Sequence, residues 1–149
     1  MKSMIANFFK RLTEAPKDSL QGEDARLALC ALLVRIARAD AHYSDAEAAQ
    51  IDRVLVGRYG LSPFEATALR REGEEVEETA PDTVRFTRAI KDAVPHDERI
   101  GVIEALWQIV LADGARDAEE DSIVRLASNL LGINDRDSAL ARQRVTARS

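Results

Sequence analysis

Apolar residues recur with helical spacing along most of this 149-residue chain. Two stretches, DARLALCALLVRIARAD from Asp24 and DERIGVIEALWQIVLADG from Asp97, are apolar at nearly every position. Such stretches predict helices buried at the centre of a domain, and the one-sided stretches around them predict amphipathic helices. No stretch alternates with a period of two, and no Asn-Gly hairpin turn occurs. We therefore predict an all-α fold, a compact bundle of about seven or eight helices.

Capping residues mark where these helices begin and end. Three helix starts carry a capping pair three residues apart, namely Ser44 with Glu47, Ser62 with Glu65, and Asp117 with Glu120. Gly60, Gly114 and Gly132 follow helices as stop signals, and Pro95 stops another helix. We expect Asn134 to cap a last helix that frays into its end RVTARS, and the five Glu from Glu72 to Glu78 to form a solvated face.

The two buried helices are followed by similar acidic hinges, ADAHYS at residues 39–44 (the first hinge) and ADGARD at residues 112–117 (the second hinge). Residues before the hinges match at an offset of 73, and residues after them match at an offset of 72. Each copy is a buried helix, an acidic turn and an amphipathic helix that ends in glycine. This pattern predicts two related helix-hinge-helix repeats packed around a shared core.

Helix capping accounts for most of the hinge acids, but not for Asp40 and Asp113. Both follow an apolar helix, where the helix dipole disfavours a carboxylate by roughly 0.3–1 kcal/mol. Three compensations remain open at this point: hydrogen bonds within the turn, an arginine partner, or a bound cation.

A cation at these hinges would be a hard one, because carboxylate and carbonyl oxygens suit Ca²⁺ or Mg²⁺. An EF-hand is excluded, since Ala118 and Val124 stand where its glycine and its bidentate glutamate belong. His42 with Asp40 and Asp45 offers zinc as an alternative to a plain surface histidine. The predicted ligands are Asp113, Asp117 and Glu120 in the second hinge, and Asp40, Asp45 and Glu47 in the first.

The chain is predicted to divide into an amphipathic helix at residues 1–13, a linker at residues 14–23 and a helical domain at residues 24–149. Apolar residues at positions 4, 5, 8, 9 and 12 line one face of the first helix. This helix either packs on the domain or rests on a membrane or a partner protein. It does not have the pattern of a signal peptide, and no stretch is long enough to span a membrane.

Composition and the absence of known motifs limit the classes of function that we expect. The net charge of −5 argues against general nucleic-acid binding. Cys30 is the single cysteine, so we expect no internal disulfide and a reducing, cytoplasmic location, with membrane association through residues 1–13 as an alternative. No phosphate-binding glycine loop, nucleophile elbow or H-E-x-x-H motif occurs, so we do not expect an enzyme.

The pattern A-D-x(3,4)-[SD]-x-x-E between two helices, present twice, resembles the TerB-like family of tellurite-resistance proteins over residues 24–133. The resemblance implies an all-helical, non-enzymatic domain linked to tellurite and chemical-stress resistance, with metal ions bound by hinge acids and with membrane-associated stress complexes as partners. The first hinge departs from the pattern, because Ala41 and His42 replace the usual glycine and acid. The second hinge, with Gly114, is closer to it.

These observations lead to one expected function and one alternative. The first is a binding or scaffold module in stress response that works with other stress-response proteins and coordinates a divalent cation, Ca²⁺ or Mg²⁺, through its hinges. The alternative is a membrane-peripheral adaptor that uses residues 1–13 and whose hinges are purely structural.

Overall fold

A computed structural model describes residues 22–39, 43–79, 84–111 and 118–148, with the backbone alone described at residues 22–24, 85, 93 and 118–121. Over these residues the chain forms seven α-helices and no strand, which confirms the predicted all-α bundle. A 3-10 turn, His96–Glu98, precedes the fifth helix. The helices are α1 (Gly22–Ala37), α2 (Asp45–Tyr59), α3 (Pro63–Thr79), α4 (Val84–Ala93), α5 (Arg99–Val110), α6 (Ala118–Leu130) and α7 (Asp135–Arg148).

Helix α1 is the centre of the bundle. It contacts α2, α3, α4, α5 and α6, and its run from Ala28 to Val34 is buried along its whole length. Helix α5 is the second buried helix, and it contacts α1, α2, α6 and α7. A helix that is apolar on every side must be covered on every side, so the two most hydrophobic segments of the sequence form the centre of the core.

The predicted capping residues that lie within the described part of the chain act as expected. The side chains of Ser44 and Ser62 each accept a hydrogen bond from the backbone N–H three residues later. In the reverse direction, the carboxylates of Glu47 and Glu65 accept hydrogen bonds from the backbone N–H groups of Ser44 and Ser62. Asn134 Oδ1 accepts a bond of 2.8 Å from the backbone N–H of the third residue after it. These bonds satisfy N–H groups that have no partner within their own helix.

The two glycines that end α2 and the turn after α6 have left-handed backbones. Gly60 has a φ of 66° and Gly132 a φ of 77°. Only glycine adopts this conformation without a steric penalty, so both positions are helix stops for a local reason.

The last helix does not fray as predicted. It continues to Arg148, and Val145 is buried with 5% of its surface exposed. Arg144 Nε and Arg148 Nη2 donate to the two carboxylate oxygens of Glu104 on α5, at 3.0 Å and 2.6 Å. The prediction was wrong because the Arg-rich end is polar only on average, and its apolar side and two of its cations pack on α5.

The internal repeat stays a prediction. The helices that would form its two copies, α1–α2 and α5–α6, are present and in contact within each copy. The second hinge at residues 112–117 lies outside the described residues, as do the predicted helix at residues 1–13 and the linker as far as residue 21. Of the helices that the structure describes, none combines the length and the apolar character needed to cross a bilayer.

Candidate functional site

The structure describes the side chains of two of the six predicted cation ligands, Asp45 and Glu47. Both lie in the first turn of α2. Asp45 is exposed, whereas Glu47 is buried with 5% of its surface exposed. Positions i and i+2 of a helix do not face each other, so the helix does not direct these two carboxylates to one point. The side chains outside the described residues are those of Asp40, Asp113, Asp117 and Glu120.

Glu47 is engaged in capping α2. Its Oε1 accepts hydrogen bonds from the backbone N–H of Ser44 at 3.2 Å and from the Ser44 hydroxyl at 3.3 Å. The backbone N–H of Glu47 donates in return to Ser44 Oγ at 3.1 Å. One oxygen of this predicted ligand therefore has a structural task, because it satisfies a backbone N–H group at the start of α2.

Both ends of the first hinge are held against α3. Before the hinge, Arg38 Nη1 donates to Glu77 Oε1 at 2.6 Å. At its far end, the hydroxyl of Tyr43 donates to Glu74 Oε2 at 2.5 Å. The guanidinium of Arg38 lies 5.1 Å from the centroid of the Tyr43 ring, so the two anchors also contact each other.

These anchors belong to a larger set of paired charges. Arg35 Nε bonds Glu77 Oε2 at 3.2 Å, so Glu77 binds two guanidinium groups, one in the last turn of α1 and one directly after that helix. Arg70 bonds both Asp52 on α2, at 2.7 Å, and Glu74, at 2.8 Å. The charged side chains of this set are between 14% and 27% exposed, well below the exposure of ordinary surface ion pairs. We call the set the hinge network: Arg35, Arg38, Tyr43, Asp52, Arg70, Glu74 and Glu77.

The hinge network contains three guanidinium groups and three carboxylates, and the exposed carboxylate of Glu78 also bonds Arg38 at 3.4 Å. Burial raises the pKa of the Tyr43 hydroxyl, and its bond to Glu74 raises it further, so the phenol stays protonated and continues to donate. Burial lowers the pKa of Arg70, but its hydrogen bonds to Asp52 and Glu74 outweigh this effect and raise that pKa above its ordinary value. At neutral pH the Tyr43 phenol is therefore neutral and the Arg70 guanidinium is charged.

Cys30 lies next to the network and is fully buried. Burial raises the pKa of its thiol, and the nearby carboxylates of Glu74 and Asp52 raise it further. The Sγ atom donates to the backbone carbonyl of Leu69 at 3.6 Å. Because the thiolate is the reactive form of cysteine, Cys30 is a core residue and not a nucleophile.

The chemistry of this region is that of a structural support. Within the described part of the chain, no three His, Cys, Asp or Glu side chains are grouped so that they could hold a metal ion. The carboxylates of Asp52, Glu74 and Glu77 are each bonded to arginine, so their oxygens are engaged in holding the helices together. The network connects α1, α2 and α3 around the first hinge.

Sequence reasoning missed the hinge network, because it assigned Glu74 and Glu77 to a solvated face. A signal was present. Arg35 with Arg38, and Glu74 with Glu77, share the i,i+3 spacing that places two side chains on one helix face. The spacing alone does not show that α1 and α3 lie side by side.

When the chain is compared with the models of known protein families, residues 26–143 match the family described as Tellurite resistance protein TerB. Neither the comparison with curated proteins nor the comparison with solved structures gave a match. The family match covers most of the chain, includes both hinges and the whole hinge network, and extends ten residues beyond the predicted end of the resemblance at residue 133. This chain therefore belongs to the TerB family of tellurite-resistance proteins.

Proposed function

We propose that this protein is a non-enzymatic binding or scaffold module in tellurite and chemical-stress resistance, and that it responds to a divalent cation bound at its hinges. The observation that carries the proposal is the family match, which spans both hinges. Its partners in this proposal are other stress-response proteins, which would recognise the cation-bound form.

The second hinge is the main cation site of this proposal. It combines Asp113, Asp117 and Glu120 with Gly114, and oxygen ligands of this kind favour Ca²⁺ or Mg²⁺. The first hinge is the weaker site, because its Ala41 and His42 supply neither a glycine nor an acid and because Glu47 is engaged in capping.

The hinge network supports a binding role for the first hinge. Arg38 and Tyr43 hold the two sides of that hinge against α3, so a ligand between them would not have to order the flanking helices. Preorganisation of this kind lowers the entropic cost of binding. In this proposal, a cation bound at the first hinge benefits from this support.

The chemistry of the described residues supports a non-enzymatic role. The thiol of Cys30 is buried with a raised pKa, and the carboxylates of the hinge network are paired with arginine. Groups held in this way stabilise a fold, whereas catalytic groups need access to a substrate.

The proposal is tested by calorimetric titration of CaCl₂, MgCl₂ and ZnCl₂ into the full chain and into Asp113→Asn, Asp40→Asn and Glu75→Gln. We expect saturable heat with Ca²⁺ or Mg²⁺, a loss of about tenfold or more in affinity for Asp113→Asn, and a smaller loss for Asp40→Asn. Glu75→Gln removes an exposed carboxylate of α3 outside both hinges and should bind as the wild type does.

Absence of both saturable heat and a shift in melting temperature at millimolar Ca²⁺ and Mg²⁺ would refute the cation site. The resistance role is tested separately, by survival on tellurite of a host that lacks the gene and carries either the wild type or Asp113→Asn. Equal survival with the wild type and with no gene would refute that role.

A further inference from the structure

A cleft of about 440 Å³ lies between α2, α5 and the end of α7, separate from the hinges. Its volume falls in the range of roughly 300–1,000 Å³ that is typical of small-molecule sites. Arg53 and Arg58 line it from α2, Arg148 from α7, and Glu104 and Gln108 from α5. It is thus a polar cleft with several hydrogen-bonding groups directed at one space.

The cleft is positively charged, although the chain as a whole carries −5. Among the residues that line it, three arginines stand against one glutamate. That glutamate, Glu104, is already bonded to Arg148 and to the neighbouring Arg144. Arg53 bonds the side-chain oxygen of Gln50, and no described carboxylate lies within ion-pair distance of Arg53 or Arg58. Two positive charges of the cleft therefore have no acidic partner among the described residues.

Arg58 is held in place by residues that do not neutralise it. Its guanidinium lies 5.7 Å from the centroid of the Tyr59 ring on one side. On the other side it lies against α5, where a Cβ atom at Gly101 would stand 2.9 Å from Arg58 Nη1. The absence of a side chain at Gly101 is what allows this close approach.

The Nε atom of Arg58 is a buried donor without a hydrogen-bond partner. Every other buried side-chain nitrogen or oxygen in the described part of the chain has such a partner. Nearly all buried polar atoms in proteins have a hydrogen-bond partner, and each exception requires an explanation. A positioned guanidinium that has one unpaired donor and no carboxylate partner among the described residues is the arrangement expected of a group that binds an anionic ligand.

We propose that this cleft binds a small-molecule phosphate ester through the guanidinium groups of Arg58 and Arg53. Guanidinium matches the geometry of phosphate oxygens and bonds them in pairs. The cleft is larger than one phosphate group requires, and Val54 and Ala105 give it an apolar wall for the organic part of the ligand. The Gln108 side chain adds a donor and an acceptor. This site is distinct from the proposed cation sites at the hinges. Phosphate binding and cation binding can therefore be tested independently of each other.

The cleft offers a position at which binding can be blocked without damage to the fold. Gly57 lines the cleft, and a Cβ atom built on it meets nothing within 4 Å. Gly57→Glu would place a carboxylate beside Arg53 and Arg58, where it competes with the phosphate. A side chain in place of glycine also favours the helix, so the variant should fold at least as well as the wild type.

The test is calorimetric titration of adenosine 5′-monophosphate into the full chain, with inorganic phosphate and adenosine as further titrants. We expect saturable binding of the nucleotide, weaker binding of phosphate alone, and at least about tenfold weaker binding of adenosine. Arg58→Gln and Gly57→Glu should each lower the affinity for the nucleotide by about tenfold or more. The control Arg125→Gln removes an exposed arginine of α6 that does not line the cleft, and it should bind as the wild type does.

Three results would overturn the proposal. The first is no saturable heat with the nucleotide or with phosphate at millimolar concentration. The second is adenosine binding as tightly as the nucleotide, which would show that the phosphate is not recognised. The third is unchanged nucleotide affinity in Gly57→Glu, whose melting temperature confirms that the variant is folded.

Discussion

At the scale of single residues, Gly73 sets how closely α3 approaches the central helix. A Cβ atom at this position would stand 2.6 Å from Cys30 Sγ and 3.2 Å from the Cys30 carbonyl carbon. Cys30 is fully buried and cannot move aside without disturbing the core. Glycine is therefore needed at residue 73 for space, although it lies in the middle of a helix where it is otherwise unfavourable.

We predict that Gly73→Ala lowers the free energy of unfolding by about 1–3 kcal/mol, because the added methyl group overpacks the contact with Cys30. The matched control is Gly57→Ala, which lies in open space and should raise that free energy by about 0.5–1 kcal/mol through helix propensity. Urea denaturation of the two variants measures both effects. Adding Cys30→Ala to Gly73→Ala should recover part of the loss. If both glycine variants stabilise the protein, the close approach is wrong.

At the scale of elements, the pairing of α1 with α3 depends on charge as well as on apolar packing. Glu77 on α3 accepts bonds from Arg35 on α1 and from Arg38 directly after α1, with 14% of its side chain exposed. A partly buried carboxylate between two guanidinium groups contributes more than a surface ion pair, because removal of the carboxylate leaves two cations without it. The hinge network is thus one of the contacts that fix α3 relative to the first hinge.

We predict that Glu77→Gln lowers the free energy of unfolding by about 1–3 kcal/mol. Glu78→Gln is the matched control, because Glu78 also bonds Arg38 but is 65% exposed, and it should change stability by less than about 0.5 kcal/mol. Chemical denaturation at pH 7 compares the two variants. Equal losses in both would show that the burial of the network does not matter.

At the scale of the whole molecule, Glu104 connects the last helix to the core through ion pairs. It lies on α5 and bonds Arg144 and Arg148 near the end of α7. Burial raises the pKa of Glu104, but the hydrogen bonds from the two arginines outweigh burial and hold that pKa below its ordinary value. A carboxyl with a lower pKa in the folded state stabilises the fold above its unfolded-state pKa and loses this contribution as pH falls through its folded-state pKa.

We therefore predict that Glu104→Gln is less stable than the wild type at pH 7, by about 0.5–1 kcal/mol because its arginine partners are partly exposed. The difference should shrink as pH falls below the ordinary pKa of glutamate and disappear below the lowered pKa of Glu104. Urea denaturation of both proteins between pH 3 and pH 7 measures the difference. A difference that stays constant over this range would mean that the ionised carboxylate does not hold α7.

The sequence was most informative where the determining forces are local. Ser44, Ser62 and Asn134 were predicted to cap helices and do so, because a cap needs only the N–H groups two or three residues away. Gly60 was predicted to end a helix for a reason that is equally local, a backbone with positive φ. The buried character of α1 and α5 followed from apolar residues on every side of each helix.

The arrangement of charges was beyond such reasoning, as the C-terminal helix shows. In the sequence, the end of α7 has the composition of a polar tail. In the structure, Glu104 lies beside it, although it precedes Arg144 by 40 positions. Glu77 in the same way lies 39 positions from Arg38. Whether a charged side chain faces water or a partner depends on which helix lies opposite, and a single sequence does not contain that information.

Helix positions, the capped helix starts, the stop at Gly60, the two central segments and the family pattern at the hinges could be read from the chain, because periodicity and capping act over one or two turns. The folded arrangement added the hinge network, the attachment of the last helix and the arginine-lined cleft. Each of these joins residues from two or three helices. Long-range contacts form when apolar surfaces pack, and polar side chains acquire their partners as a result of that packing.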